Sequence, residues 1–467
     1  MNYTHVGEED LSFFRLTCSP DRVIAGGDIS EDFGHDEMPV YGSYMPDALV
    51  YALSAEEISR VLAHCNQRRI PVTPRGAGTG LCGGAVPLFG GVLLSTEKMN
   101  RILEVDEENM TATVEPGVLL MDFSAHVLNK NLFYPPEPGE KTATLGGNVM
   151  TNAGGMKAVK YGVTRDYVMG LEVVLPDGQI IKAGGKLSKN SSGYSLLHLF
   201  VGSEGTLGIV TKLVLKLIPK PSKSVSLLVP FDSMEQCIGT VPVILRSQLK
   251  PVAVEFMQRE IILEAGKYLG RDFPDKSAEA YLLLSFDGGS REEVEKICDR
   301  AAELCVRAGA RDAFYADTAE RLSCLWDARG AFLEAIKSST PELDECDVVV
   351  PRNSIAAFAK AVDAVAQKLD IRIRYFGHAG DGNVHVYVCR DQLNEACWKE
   401  KLGAAMEELY KEASMLGGKV SGEHGIGHAK IDFLRESEGG QYVALLERIK
   451  DVFDPNRILN PGKVVRR

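Results

Sequence analysis

No stretch of this chain stays apolar for the roughly 18–20 residues that a membrane-crossing helix needs. The opening residues, MNYTHVGEEDLSFF, are acidic and lack the basic and apolar regions of an export leader, so no signal peptide is expected. Paired cysteines are missing too. The ten (Cys18, Cys65, Cys82, Cys237, Cys298, Cys305, Cys324, Cys346, Cys389 and Cys397) stand singly with no CxxC, which argues against an iron–sulfur cluster or a structural zinc knuckle. Reduced, buried thiols and a cytoplasmic location are the expectation. Positive charge is in short supply: 52 Lys and Arg against 64 Asp and Glu leave a net −12, a poor surface for wrapping nucleic acid. The densest basic patch, KLVLKLIPKPSK at 212–223, reads as a solvated strand edge and linker.

What is present is ordinary globular material. The 467 residues are 45% hydrophobic, room for two or three domains with buried cores. ALVYAL (48–53) reads as a strand. Ser54 then opens a helix, with Glu57 completing a capping-box pattern and Ile58, Val61, Leu62 and Cys65 at helical spacing. Further strands are expected at 70–73, 91–95, 102–105 and 111–115, with a helix near 118–128. The two prolines of IPKPSK (218–223) break this pattern. Beyond them strands (281–286, 371–376) alternate with helices (291–308, 354–369), an α+β layout built on an antiparallel sheet. The expected division is 1–220, 221–420 and a C-terminal segment 421–467.

Glycine is dense between Gly76 and Gly208. PRGAGTG (74–80) looks like a dinucleotide loop, but LCGGAVPLFGG follows it, too rich in Gly and Pro for the helix of a Rossmann site. Small residues still let backbone N–H groups converge on an anion such as a diphosphate. PPEPGEKTATLGGNVMTNAGG (135–155) and GSEGTLGIVT (202–211) repeat that chemistry. One such loop is explained by turns alone; three in one domain imply a ligand lying extended across it.

Toward the C-terminus, His378 and His385 flank DGN in GHAGDGNVHVYV, a Gly-rich turn leading into a strand, and Glu423 and His424 sit in SGEHGIGHAK. Two imidazoles and a carboxylate suit a divalent metal with an open position, although a lone histidine is more often structural. The spacing does not match HExxH, which disfavours a zincin-type hydrolase.

In order and content, PRGAGTGLCGG, ATLGGNVMTNAGG, GVTRDYVMGLEVVLPDG and GSEGTLGIVT resemble the FAD domains of the vanillyl-alcohol oxidase/p-cresol methylhydroxylase superfamily. Within it the chain is most similar to the FAD-linked D-2-hydroxyacid dehydrogenases, the family of D-lactate dehydrogenases and the flavin-binding glycolate oxidase polypeptide. The resemblance implies a two-part FAD-binding domain of the p-cresol methylhydroxylase type and an α+β cap domain. It implies that Arg75, Gly76, Ala77, Gly78, Thr79 and Gly80 hold the diphosphate. Pro138, Thr142, Gly146, Gly147, Asn148, Asn152 and Gly155 would line the flavin, with Gly205, Ile209 and Asn460 contacting its ring system. The first loop has no histidine for covalent attachment, so non-covalent FAD is expected. His378, His385 and Glu423 would ligate a divalent metal (Zn, Mn or Fe) and His424 would abstract the proton. Arg329 in LWDARGAF would grip the substrate carboxylate, and His428 is open between a supporting and a purely structural role. DECDVVVP (344–351) is acidic where relatives that use larger diacids carry a lysine, which favours a short monocarboxylate. The electrons would leave to an electron-transferring flavoprotein or an iron–sulfur subunit. The alternatives are a non-redox flavoenzyme of the ether-lipid synthase type, an electron-transfer subunit without substrate chemistry, and a metal hydrolase.

Overall fold

The computed structural model describes residues 2–271 and 273–466. They form two compact units: Met1–Gly154, Val163–Lys220 and Glu423–Arg467 make the first, Gly155–Gly162 and Pro221–Gly422 the second. Among the described residues no helix is long and apolar enough to cross a membrane.

The first unit holds two sheets. Strands β1 (Val23–Ala25), β2 (Ala48–Tyr51), β3 (Val72–Arg75) and β4 (Val92–Ser95) stand in the order β1-β2-β4-β3, parallel except for β1. Of the next seven, β5 (Ile102–Asp106), β6 (Thr111–Val114), β7 (Leu132–Phe133), β8 (Val168–Val174), β9 (Ile180–Gly184), β10 (Ile209–Lys216) and β11 (Ile218–Pro219), five make an antiparallel sheet β5-β6-β10-β8-β9. The remaining pair, β7 and β11, bond to each other. The expected helix spans Ala55–Arg68 and buries Ile58, Val61, Leu62 and Cys65 against Phe14, Val72, Val92 and Ile209. Ser54 caps it by accepting from Glu57 N at 3.2 Å. The other half of the box is redirected: the Glu57 carboxylate accepts from Leu53 N and, at 2.7 Å on both oxygens, from Arg22. A bidentate guanidinium outcompetes a single backbone N–H.

The C-terminal segment builds onto the edge of β3. Val72 N donates to Ile458 O and Asn460 N to Val72 O, both at 2.7 Å. Behind it the buried Lys450 ammonium donates at 2.6 Å to Thr206 O, Asp454 and Leu459 O. Three acceptors are what a buried ammonium with three N–H groups requires.

The second unit is one antiparallel sheet of seven strands: β12 (Lys223–Phe231), β13 (Ala253–Gln258), β14 (Ala280–Gly288), β15 (Phe314–Ala316), β16 (Leu343–Val349), β17 (Arg372–His378) and β18 (Asn383–Cys389). Their order is β15-β12-β14-β13-β17-β18-β16. Helix Arg291–Arg307, capped by Ser290, buries Val294, Cys298, Ala301 and Cys305. These residues lie on one stripe of a 3.6-residue period. The excursion Gly155–Gly162, which the sequence places within 1–220, packs with this unit instead. The Tyr161 hydroxyl donates to Asp287 at 2.7 Å, and a Cβ on Gly380 would lie 2.7 Å from Val159.

Candidate functional site

In the first unit the three glycine clusters converge. PRGAGTG leaves β3 and residues 76–91 contain no helix, so the loop is not of the Rossmann kind. Gly76 lies so close to the second cluster that a Cβ would come within 2.2 Å of Thr144 Oγ1. Thr144 caps the short helix Leu145–Thr151 by accepting from Gly147 N, and Asn152 ends it in the left-handed region at φ 52°. The third cluster docks on that helix through Gly202 N to Val149 O and Glu204 N to Met150 O. Gly205, at φ +67°, passes Pro74 where a Cβ would be 2.6 Å away, and Ile209 is buried at the start of β10. Asn460 Nδ2 ties first to third by donating to Gly84 O and Glu204 O at 2.9 and 2.8 Å. Asn148 Nδ2 and Asn460 Oδ1 are buried without a hydrogen-bond partner among the described residues. Buried polar atoms normally have one, so this donor and this acceptor fit a polar ligand lying on the glycine backbone.

Other expected residues lie differently. Arg75 is buried, and its guanidinium donates to the carbonyls of Asp32 and His35 at 3.1 and 2.7 Å. It therefore shapes the loop and straps the segment before it. Ala77, Thr79 and Gly80 keep part of their surface open. Thr142 is exposed and takes Glu140 as its partner, Pro138 is half-buried, and Gly155 is buried.

The residues after His424 are anchored by a group that sequence reading missed. Glu204 is buried, and its two carboxylate oxygens accept from Ile426 N at 2.8 Å and Gly427 N at 2.7 Å. Burial raises its pKa, and the two N–H groups pull the other way. Gly427, at φ +52°, sits where a Cβ would be 1.8 Å from Cys82 O. Glu423 lies against Gly154, whose missing Cβ leaves room for Oε2, and His424 Nε2 is 3.8 Å from Glu423. His428 is wedged against Gly83 with the rings of Tyr41 and Tyr44 at 6.1 and 6.3 Å, and burial pushes its pKa down to about 4.

In the second unit, strand register assembles a polar cluster inside an apolar sheet. Glu255 on β13 stands opposite His378 on β17, Phe376 opposite His385 on β18, and His385 opposite Asp347 on β16. Directly paired residues project to the same face, so these side chains meet. His378 Nδ1 is 2.8 and 2.9 Å from the two Glu255 oxygens. His385 Nδ1 is 3.2 Å from Glu345 and 3.8 Å from Asp347. The two Nε2 atoms lie 3.4 Å apart. Carboxylates on Nδ1 hold the proton there and leave both Nε2 lone pairs aimed at common ground. A tetrahedral ion with metal–nitrogen bonds of about 2.1 Å spaces its ligand nitrogens by about that same 3.4 Å, so the donor pair fits a metal.

Arg329, from helix Ala319–Gly330, is buried beside this pair. Its Nε and Nη2 reach Glu255 Oε2 at 2.9 and 2.7 Å, and its guanidinium carbon lies 4.6 Å from the Phe376 ring centre. Burial alone would raise the Glu255 carboxyl, but His378 and Arg329 hold it below the usual range. Asp347 organises the chain's exit from the unit. It accepts from Asn383 Nδ2 at 2.6 Å, Ser421 Oγ at 3.0 Å and Gly422 N at 3.1 Å, and Glu423 and His424 follow directly. Glu255 sits in a strand whose other residues, Gln258 apart, are buried and apolar, whereas Glu345 and Asp347 share β16 with a third acid, Asp344.

Comparison with known proteins gives the family and the fold of the chain. Residues 220–464 match the family described as FAD linked oxidases, C-terminal domain, and residues 46–184 match an FAD binding domain. The chain is 50% identical over 467 residues to a D-lactate dehydrogenase of Anaerostipes hadrus, covering 99% of this chain and 98% of that one. It is 43% identical to the glycolate oxidase subunit GlcD of Bacillus subtilis (strain 168), over 92% of this chain and 91% of that one. Among solved structures, p-cresol methylhydroxylase superposes with a TM-score of 0.80 at 22% identity, covering 98% of this chain and 96% of that one, a likeness of fold.

Proposed function

The chain belongs to the FAD-linked oxidase family, and from that premise we propose that it oxidises a short D-2-hydroxyacid, D-lactate first and glycolate next, to the 2-oxoacid. The observation that carries the reading is the His378–His385 pair, each Nδ1 on a carboxylate and the two Nε2 atoms 3.4 Å apart, beside an arginine held in place by Glu255. The names of the two relatives above support the substrate class.

In this reading His378, His385 and Glu423 hold a divalent metal, and Gly76–Gly80, Asn148, Asn152, Gly205 and Asn460 belong to the bed of a non-covalent FAD. When bound, the metal would supply Lewis acidity and FAD a hydride acceptor. Arg329 takes the substrate carboxylate and fixes the α-carbon. His424 is the general base that accepts the hydroxyl proton. The buried acids Asp344, Glu345 and Asp347 disfavour a second substrate carboxylate, which supports a monocarboxylate. No cysteine pair and no Rossmann helix are present for onward electron flow within the described chain. In this reading the electrons pass to a partner, an electron-transferring flavoprotein or an iron–sulfur subunit.

The test is the anaerobic visible spectrum of the purified protein on addition of D-lactate, with and without a chelator. Bleaching of an oxidised-flavin spectrum, lost after metal removal while flavin stays bound, is expected. A flavin that no 2-hydroxyacid bleaches refutes the substrate reading and favours a non-redox flavoenzyme. Acid precipitation should release all the flavin to the supernatant.

A further inference from the structure

Glu255 has no role in any motif, yet it is completely buried and its carboxylate contacts both His378 and Arg329. Both its oxygens approach His378 Nδ1, at 2.8 and 2.9 Å, and Oε2 also takes Arg329 Nε and Nη2, at 2.9 and 2.7 Å. A buried ion cluster is a weak device for stability, because desolvation cancels most of the attraction; apolar residues of similar volume often do as well. It is a strong device for geometry. A carboxylate only accepts, so it fixes the His378 proton on Nδ1 and leaves Nε2 as the donor atom. The same carboxylate occupies the Nε–Nη2 edge of Arg329 and so sets the plane of the guanidinium, while Phe376 lies under its face. We propose that Glu255 is a positioning residue that locks Arg329 and His378 into one rigid unit, holding the carboxylate-binding cation at a set distance and angle from the metal-binding nitrogen.

The proposal rests on the reading of the site given above. Two ends of a three-carbon hydroxyacid have to be gripped at once, and a misplacement of about 1 Å is enough to cost two orders of magnitude in rate. Independent mobility of the two grips would cost both metal affinity and substrate affinity.

The experiment compares Glu255→Gln and Glu255→Asp with the parent in FAD-replete protein. Dissociation constants for Zn²⁺ and Mn²⁺ are measured on metal-stripped protein by chelator competition, and KM and kcat for D-lactate at saturating metal. Glu255→Gln is expected to weaken metal binding about 10- to 100-fold and to raise KM, with FAD content unchanged. In combination with Arg329→Ala its KM effect should be less than the product of the two singles. If Glu255→Gln does not fold, Glu255→Asp, which keeps the charge but sets it back by one methylene, decides. A weaker metal site and a raised KM support the proposal; parental values of both in a folded variant overturn it. A parent that binds neither ion overturns it as well. A parent that binds metal at a single site but reduces its flavin with no 2-hydroxyacid refutes the substrate reading instead, and the metal-affinity comparison still stands.

Discussion

Gly154→Ala is a one-atom test of Glu423. Gly154 is buried in the NAGG turn and its backbone conformation is one that alanine adopts, so the change brings no φ strain. The added Cβ would lie 2.6 Å from Glu423 Oε2 and 3.1 Å from Glu423 Cβ. Ordinary contact begins at 3.4 Å, so the carboxylate must retreat by about 0.8 Å. Metal ligands tolerate roughly ±0.2 Å, so a ligand moved by several times that should lose most of its bond. A loss of about 10- to 100-fold in metal affinity is expected, or about 1.4–2.8 kcal/mol. The assay is chelator competition with Mn²⁺ and Zn²⁺ on metal-stripped, FAD-replete protein, followed by the rate of flavin reduction by D-lactate. Gly139→Ala, with no atom within 4 Å of the new Cβ, is the control and should match the parent. Parental metal affinity in folded Gly154→Ala would show that Glu423 does not bind the metal.

His424→Asn should keep metal and flavin but slow flavin reduction about 10²- to 10⁴-fold; a parental rate places the base elsewhere. Gly427→Ala puts a Cβ against the Cys82 carbonyl at φ +52°, and that carbonyl accepts from His428 N and Ala429 N. With about 1–2 kcal/mol for the left-handed backbone and about 1 kcal/mol for each strained bond, the unfolding temperature should drop by several degrees, and an unchanged one refutes the contact. Lys463 is buried against Val86 O, and burial lowers its pKa from 10.5 to about 7. Between those values the unfolded chain holds a proton that the folded one does not, so stability rises with pH across that window, by at most about 1.4 kcal/mol per unit. Lys463→Met should flatten the pH dependence of the urea midpoint above pH 7; an unaltered slope means the ammonium stays charged.

Much of the molecule was legible as a linear text because its signals are local. Ser54 and Ser290 precede helices whose buried faces repeat at 3.6 residues, and the prolines of 218–223 end the first run of strands at the unit boundary. The glycines marking the cofactor loops read in the same way, since tight turns and close backbone approach demand that residue type wherever they occur. His378 and His385 were visible together because a four-residue turn returns the chain on itself, and Arg329 was visible through its motif. The carboxylates that make these residues useful were not. Glu255 meets His378 across 123 residues and Arg329 across 74, and Glu204 meets Gly427 across 223. A strand's two-residue alternation says which residues share a face but not which strand lies beside it; that is decided by the order β13-β17-β18-β16. Composition, turns and helix faces follow from the sequence alone because their physics acts within a few residues. The protonated nitrogen of each histidine, the plane of Arg329 and the seat of the Glu423–His424 loop were decided by tertiary structure. They depend on charges that only the pairing of distant strands brings within hydrogen-bond range.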